Sequence, residues 1–537
     1  MSLGKRFIHG AGLGLIEQGL RFGSVFVTTP LMVHWLGDDS YGYWLLAMTL
    51  MSYFALLDLG MSYGTMRFLA VAVGAKDAQR QAVVYDMATT HFRRVSWVIG
   101  VGSVIALSLL AIFGGEKHLS LGTVLLATFP AGLSMAMRFW WRMPQLLLRA
   151  WVRYDLLSWS AIIRVATQCT VLILFLPRGG GLVLVGMLHA GCDMLELALQ
   201  YWFATGLPTS HHVPVVENAE AMKVRKDLIS YTGDLVLGSM GDAMRGNVGP
   251  WVTRKVVSLS MVPVYATGTR LISMAEDVVN SVFGGSLLSI FGQLHGGDDK
   301  ERLKREFSRV LAITSGISAA GVLGMMLFGR AFMVRWLGPK FGEAYEVMQI
   351  LGGPYALFFM QYPAHSLLCA LGWQRQLMVL RCVSGLLAGA AAIVFGLLWG
   401  LKGVAWGPAM EMAVIYAVAF PILVGRATGI PAMTYLWNLV LWPGLKGLLL
   451  PALAGWALLP WIEPDYQRLI ICGSIYGLAM AVSSPFTLLD GEGRHLLLSA
   501  LGMRRKKASP AEVNGPPPPP VAEIPGISPE EPGCGPS

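Results

Sequence analysis

The stretch YWLLAMTLMSYFALLDLGMSYGTMRFLAVA at residues 43–72 holds only two charged residues, Asp58 and Arg67, among mostly apolar ones. A helix of about 20 predominantly apolar residues crosses the hydrocarbon core of a bilayer. An ionisable side chain inside such a helix is costly, and it marks a place where another helix or water solvates it. The stretch therefore predicts a transmembrane helix whose charges have a role in function.

Comparable stretches occur from one end of the chain to the other. The sequence is 54% hydrophobic and 14% charged, whereas an ordinary soluble domain has about 25% charged residues. We therefore predict an all-α, polytopic membrane protein of about fourteen transmembrane helices, without a separate soluble domain. The predicted spans are 9–33, 43–72, 95–114, 121–141, 156–176, 182–203, 231–256, 263–293, 310–329, 345–371, 379–399, 403–424, 437–460 and 469–489.

The distribution of basic residues indicates the orientation. With the N-terminus inside, 25 Lys and Arg residues fall on the cytoplasmic side and 9 on the opposite side, which the positive-inside rule reads as decisive. The net charge is +9, but the basic residues are distributed by membrane side and not clustered in one domain, so we do not interpret the charge as a sign of nucleic-acid binding. We predict a multi-pass protein of the cytoplasmic (inner) membrane with both termini in the cytoplasm. Glu17 and Arg21 interrupt the first apolar stretch, so we interpret it as a retained span and not as a signal peptide.

A polar stretch divides the spans into two groups of six, followed by two more. We predict an N-terminal six-helix lobe at 1–203, a cytoplasmic linker at 204–230, a C-terminal six-helix lobe at 231–426, two additional helices at 427–490, and a cytoplasmic tail at 491–537. The tail is basic and then rich in proline, and such a composition predicts disorder.

No metal or cofactor site is predicted. The six cysteines show neither the spacing of a zinc site nor a disulfide framework. His211 and His212 have no Cys, Asp or Glu ligand at a suitable spacing, so we interpret them as part of a polar linker. A short echo, MVHWLG at 32–37 and MVRWLG at 333–338, follows the first and ninth spans, which are not equivalent in the two lobes. We interpret it as chance or as interfacial tryptophan use.

The segment HWLGDDSYGYWLLAMTLMSYFALLDLGMSYGTMRFLA, residues 34–70, resembles the start of the polysaccharide and O-antigen flippases of the multidrug/oligosaccharidyl-lipid/polysaccharide (MOP) exporter superfamily, which are MATE-like. In that family the first helix ends in an LG-x-x-x-YG-x-W turn and the second carries DLG followed by an Arg. The matching residues are Leu36, Gly37, Tyr41, Gly42, Trp44, Asp58, Leu59, Gly60 and Arg67.

The resemblance implies two six-helix lobes around a central cavity that opens alternately to each side of the membrane. It implies translocation of a polyprenyl-pyrophosphate-linked oligosaccharide across the cytoplasmic membrane, without covalent chemistry, so that the protein is not an enzyme. The partners it implies are this lipid-linked substrate and the lipid bilayer, with a polysaccharide polymerase and glycosyltransferases as candidates.

Charged residues concentrate in spans one, two, seven and eight, the first hairpins of the two lobes. An arginine fork binds phosphate oxygens bidentately, so arginines there suit a pyrophosphate-linked substrate. Arg138 and Lys446 lie near a span end or in a late hairpin, so we interpret them as snorkelling. The candidate cavity residues are Arg21, Arg67, Arg245, Arg270, Glu17, Asp58, Asp242 and Asp277. Acidic residues in or near the spans outnumber basic ones, so a net positive cavity is a hypothesis.

His189, Asp193 and Glu196 share a helical face in span six, and such a face could couple transport to an ion or form hydrogen bonds between helices. An alternative function is a cation-coupled multidrug antiporter of the same architecture, whose cavity would be mainly acidic and aromatic. A membrane-embedded glycan polymerase or ligase is a third reading, but it needs a large extracytoplasmic loop, and the longest such loop predicted, 330–344, is short.

Overall fold

The predicted apolar spans form helices in the part of the chain that the structure describes. The computed structural model describes residues 3–114, 120–207, 214, 216, 219–296 and 300–487. Every regular element in this part of the chain is helical, which confirms the predicted all-α fold. His211, His212 and the proline-rich tail lie outside the described residues.

Eight helices precede the linker. They are α1 (Leu3–Leu36), α2 (Asp38–Phe54), α3 (Met61–Gly74), α4 (Ala78–Gly114), α5 (Leu121–Trp140), α6 (Arg142–Ala150), α7 (Tyr154–Phe175) and α8 (Gly181–Thr205). Ten follow it. They are α9 (Ala219–Val256), α10 (Val262–Gly296), α11 (Lys300–Leu337), α12 (Gly342–Met360), α13 (Tyr362–Ala370), α14 (Gln374–Val414), α15 (Phe420–Thr428), α16 (Ala432–Thr434), α17 (Trp442–Leu458) and α18 (Tyr466–Thr487).

Helices overlap all fourteen predicted spans in the described residues, and eight helical segments are long and apolar enough by themselves to cross a membrane. One of these segments, 374–428, is folded on itself at Gly400, where φ is 61°. A Cβ atom on Gly407 would lie 2.2 Å from the backbone nitrogen of Ala392, so the two arms of this hairpin touch. The prediction of separate spans at 379–399 and 403–424 agrees with this break. The total of fourteen stays a prediction.

The span predicted at 43–72 is interrupted, which the hydropathy pattern did not indicate. A 3-10 turn, Ala55–Asp58, is followed by Leu59 and Gly60 with φ of 48° and 70°, and α3 then begins at Met61. Asp58 and Arg67 therefore belong to different helical segments. The prediction of one continuous helix over 43–72 was wrong.

The helices α6 and α13 repeat the same local structure 220 residues apart. Each has nine residues, and the turn that follows each helix contains a left-handed residue, Val152 with φ 54° and Gly372 with φ 80°. The closing hydrogen bonds are the same: Arg153 N–H donates to the Leu148 carbonyl and Trp373 N–H to the Leu368 carbonyl, both at 2.8 Å. The two halves of the chain thus share a local structure that was not predicted from the sequence.

The segment predicted as the longest extracytoplasmic loop, 330–344, is mostly helical. The helix α11 continues to Leu337, α12 begins at Gly342, and Pro339–Phe341 forms a 3-10 turn between them.

The helices pack mainly within each half of the chain. In the first half α1 packs on α7, and α5 packs on α4 and α8. In the second half α9 packs on α14, and α10 packs on α12 and α13. Contacts of α2 with α9 and α10, and of α1 with α11, join the halves.

Glycine allows α9 and α14 to approach backbone to backbone. A Cβ on Gly385 would lie 1.9 Å from the carbonyl oxygen of Gly241, and a Cβ on Gly241 would lie 2.1 Å from the carbonyl oxygen of Arg381. Such contacts require a residue without a side chain, as in other tightly packed membrane helices.

We expect Gly385→Val to force α9 and α14 apart, because the new side chain meets backbone that cannot move aside. Overpacking of this kind costs about 1–3 kcal/mol. The measurement is the thermal unfolding midpoint of the full-length protein in detergent. Gly477→Val in α18 is the matched control, since a Cβ there has no neighbour within 4 Å. Equal midpoints for the two variants would contradict the close packing.

Candidate functional site

A cluster of buried charges, the first-half ion network, joins α5, α7 and α8. Arg138 donates two hydrogen bonds to Asp193, of 2.8 and 2.6 Å, and one to Glu196, of 2.9 Å. Arg164 donates to Asp193 at 2.8 Å and lies 3.4 Å from Glu196. Asp193 is only 2% exposed, so its charge is solvated by these two guanidinium groups and by the Ser134 hydroxyl at 3.1 Å. Two positive and two negative charges therefore cancel.

The first-half ion network corrects one prediction. Arg138 does not reach out to the membrane surface but binds carboxylates inside the helix bundle. His189 extends the cluster, with Nε2 3.6 Å from Asp193 and its ring edge-on to Trp44 at 5.6 Å. The face predicted from His189, Asp193 and Glu196 thus bonds to helices α5 and α7.

A corresponding cluster, the second-half ion network, joins α9 to the two arms of the 374–428 hairpin. Arg245 lies 3.3 Å from Glu411, and the Ser384 hydroxyl bonds to both. Arg381 pairs with Asp242, which is also 3.9 Å from Arg245. Arg245 and Glu411 have side chains 11% and 2% exposed, so their charges depend on each other. Asp242 and Arg245 were predicted as candidate cavity residues, but Arg381 and Glu411 were not identified as their partners.

The other predicted cavity residues are scattered. Arg21 pairs with Glu17 at 2.6 Å, four residues away on α1. Asp58 accepts a hydrogen bond from the Ser62 hydroxyl at 2.6 Å, and Arg142 donates to that hydroxyl at 3.0 Å. The side chains of two further candidates are exposed, on α3 and α10. They are Arg67 and Asp277.

A polar cavity of about 330 Å³ lies between the two halves. It is enclosed by α1, α2, α9, α10 and the end of α11, and Arg270 is the one predicted site residue in its lining. Hydroxyl groups supply most of the remaining polarity, and no carboxylate is among its described lining residues. The lining is Val25, Thr28, Thr29, Tyr41, Leu45, Gly246, Pro250, Ala266, Thr267, Thr269, Arg270, Ser273 and Trp336.

An apolar groove of about 470 Å³ lies beside the polar cavity, on the other side of the same helices. Val25 and Thr28 of α1 face the cavity, whereas Phe22 and Phe26 face the groove. In the same way α10 turns Arg270 and Ser273 to the cavity and its apolar residues to the groove. Residues of α11, α12 and α18 complete the groove, whose lining carries no charge in the described chain.

The two echoing turns meet at one end of the cavity and form a contact between the halves, here called the clasp. Lys340 pairs with Asp38, and the Trp336 indole N–H donates to the Phe26 carbonyl at 2.8 Å. Gly37 and Gly338, which end the two MVxWLG segments, both have positive φ, 75° and 99°. Trp336 is 8% exposed, so it is a buried contact residue and not an interfacial one.

Sequence reasoning missed most of the cavity because it followed charges. Thr29, Tyr41 and Trp336 are uncharged, and although Tyr41 and Trp336 lie in sequence motifs noted above, none of the three was predicted to line a cavity. A weak signal existed on α10, where Thr267, Arg270 and the nearby Ser273 recur every three residues and share a helical face.

Comparison with known proteins supports the architecture. No protein-family model matches the sequence, and no curated protein does. Among solved structures, the inward-facing conformation of a multidrug resistance MATE family transporter of the MOP superfamily has a TM-score of 0.65 at 15% identity, covering 76% of this chain and 95% of that chain. The outward-facing conformation of such a transporter has a TM-score of 0.59 at 15% identity, covering 80% and 97%.

These similarities define the class. The chain is an all-helical, multi-pass membrane protein, and more particularly it has the fold of the MATE transporters. Identity this low carries the fold alone. The finer resemblance to the polysaccharide flippases of the same superfamily stays a prediction.

We expect Asp193→Asn to destabilise the protein by about 3–5 kcal/mol, because it removes the buried carboxylate that two partly buried arginines share and leaves them with Glu196 alone. Thermal unfolding in detergent measures this. Glu463→Gln is the control, since its partner Arg468 and Glu463 itself are about half exposed and such pairs contribute about 1 kcal/mol or less. A double variant with Arg138→Gln should recover part of the loss. An unchanged midpoint for Asp193→Asn would show that the network does not stabilise the fold.

Proposed function

We propose that this protein translocates an anionic, lipid-linked oligosaccharide across the cytoplasmic membrane by alternating access. The observation that carries the proposal is the polar cavity with its single arginine, its hydroxyl groups and no carboxylate among its described lining residues. Arginine binds phosphate oxygens through a planar fork. Threonine, serine and tyrosine hydroxyls can donate to and accept from sugar hydroxyls.

The apolar groove supports a substrate with a lipid tail. It shares α1 and α10 with the polar cavity, so one molecule can place a charged head in the cavity and a hydrocarbon chain in the groove. Phenylalanine, leucine and methionine side chains in the groove offer a hydrocarbon tail the same environment as the bilayer core. No covalent step is needed, and we propose a transporter and not an enzyme.

In this proposal the clasp is the outer gate of the cavity. The positive-inside prediction puts the end of α1 on the extracytoplasmic side, and the clasp joins the halves there. Opening would separate Asp38 from Lys340 and Trp336 from Phe26.

A cation-coupled multidrug antiporter is the second candidate, because the solved structures with this fold are described as multidrug resistance transporters. A cationic drug would be repelled by Arg270 and would find no carboxylate among the described residues of the cavity wall. The two hypotheses are separated by measuring drug resistance and lipid-linked glycans in the same deletion strain. Loss of resistance with normal glycan export would favour the antiporter.

We expect deletion of the gene to trap lipid-linked oligosaccharide in the inner leaflet, and Arg270→Gln to restore export poorly although the protein inserts normally. The matched control is Arg330→Gln, which removes an exposed arginine on another helix, α11, and should restore export fully. Leaflet-specific labelling of lipid-linked glycans is the measurement. Arg270 is a sharper test than Arg245, because removing Arg245 also leaves Glu411 buried without its partner. Full export with Arg270→Gln would remove this residue from the mechanism.

We expect a cross-link across the clasp to stop transport. In the Asp38→Cys/Lys340→Cys protein, a short thiol-reactive bifunctional reagent would hold the two halves together at this end. Glycan export should then fall after reagent treatment. The Asp38→Cys protein and the Lys340→Cys protein, which each carry only one of the two substitutions, should continue to export. Undiminished export by the fully cross-linked protein would show that the halves need not separate there.

A further inference from the structure

A third depression, the interfacial groove, lies on the outside of the second half, away from the polar cavity. It is formed by the first turns of α14 and by the turns around α15, the two antiparallel arms that meet at Gly400. Its volume is about 590 Å³. Val379, Val383 and Ile422 in its lining are 44%, 47% and 43% exposed, so no other described helix covers them.

One helical face from each arm lines the interfacial groove. On α14 the lining residues run from Arg375 to Val383, and on the other arm they run from Ala419 to Arg426. Residues spaced by three, four and seven positions lie on one side of a helix. At a rise of 1.5 Å per residue, the eight-residue step from Arg375 to Val383 gives a depth of roughly 12 Å.

Charge is confined to one end of the interfacial groove. Arg375 and Arg426 lie on opposite walls at the end where α14 begins and α15 finishes, with Trp373 beside them. No acidic residue belongs to the described lining, and no described carboxylate forms an ion pair with either arginine. Beyond them the walls are apolar. Tryptophan is the residue that commonly marks the level of lipid headgroups.

We propose that the interfacial groove binds an anionic phospholipid of the leaflet at this end of the bundle. The two arginines hold the phosphate of the headgroup, and an acyl chain lies along Val379, Val383 and Ile422. Guanidinium groups on two walls provide charge-assisted hydrogen bonds to one phosphate, and the groove depth fits the upper part of an acyl chain. The predicted orientation makes this the cytoplasmic leaflet, whose anionic lipids attract basic residues near the surface.

The test uses native mass spectrometry of the full-length protein in detergent, titrated with phosphatidylglycerol or phosphatidylethanolamine. We expect the wild-type protein to retain phosphatidylglycerol in preference to phosphatidylethanolamine, and Arg375→Gln/Arg426→Gln to weaken phosphatidylglycerol binding by about tenfold or more. Arg94→Gln/Arg305→Gln is the control, because it removes two exposed arginines on the same predicted side outside the groove. It should bind phosphatidylglycerol as the wild-type protein does.

A second readout tests binding to the folded protein. A ligand that binds only the native state raises the unfolding midpoint, so phosphatidylglycerol should stabilise the wild-type and control proteins and not the Arg375→Gln/Arg426→Gln protein. Equal retention of phosphatidylglycerol by all three proteins would overturn the proposal. So would a wild-type protein without headgroup preference, or a mass showing that a second copy of the chain occupies the groove.

Discussion

The constraint on which the structure depends is that a charge inside a membrane protein must be neutralised close to where it lies. Each half does this with its own side chains: Arg138 and Arg164 with Asp193 and Glu196 in the first, and Arg245 with Glu411 in the second. Removing one partner from such a pair lowers the stability of the folded protein strongly, so these residues hold neighbouring helices together. Among the described residues, neither network contains an ion pair between the two halves, since the partners in each belong to the same half.

This neutralisation also bears on which arginine is placed to bind a substrate. Arg245 is held by its carboxylate and by Ser384, whereas Arg270 lies in the wall of the polar cavity among hydroxyl groups. The same two helices, α1 and α10, turn apolar side chains to the groove behind. The polar cavity and the apolar groove, which share α1 and α10, match the two chemically different parts of the proposed substrate.

The sequence predicted the helical membrane fold, because long apolar stretches leave the backbone no other way to satisfy its hydrogen bonds. It also placed Gly400 between two predicted spans. It did not predict the helix break after Asp58, since that depends on left-handed backbone at Leu59 and Gly60. Nor did it predict the partners of Arg138, which lie 55 and 58 residues away. Spacing along one helix reveals neighbours on that helix, whereas contacts between helices depend on how the bundle packs.

The two ion networks have the same composition and different connections. Each consists of two arginines, an aspartate, a glutamate and a serine. In the first half both arginines contact Asp193, whereas in the second half Arg381 pairs with Asp242 and Arg245 pairs with Glu411. The charges of each network sum to zero, so neither network presents a net charge on which the transmembrane potential acts.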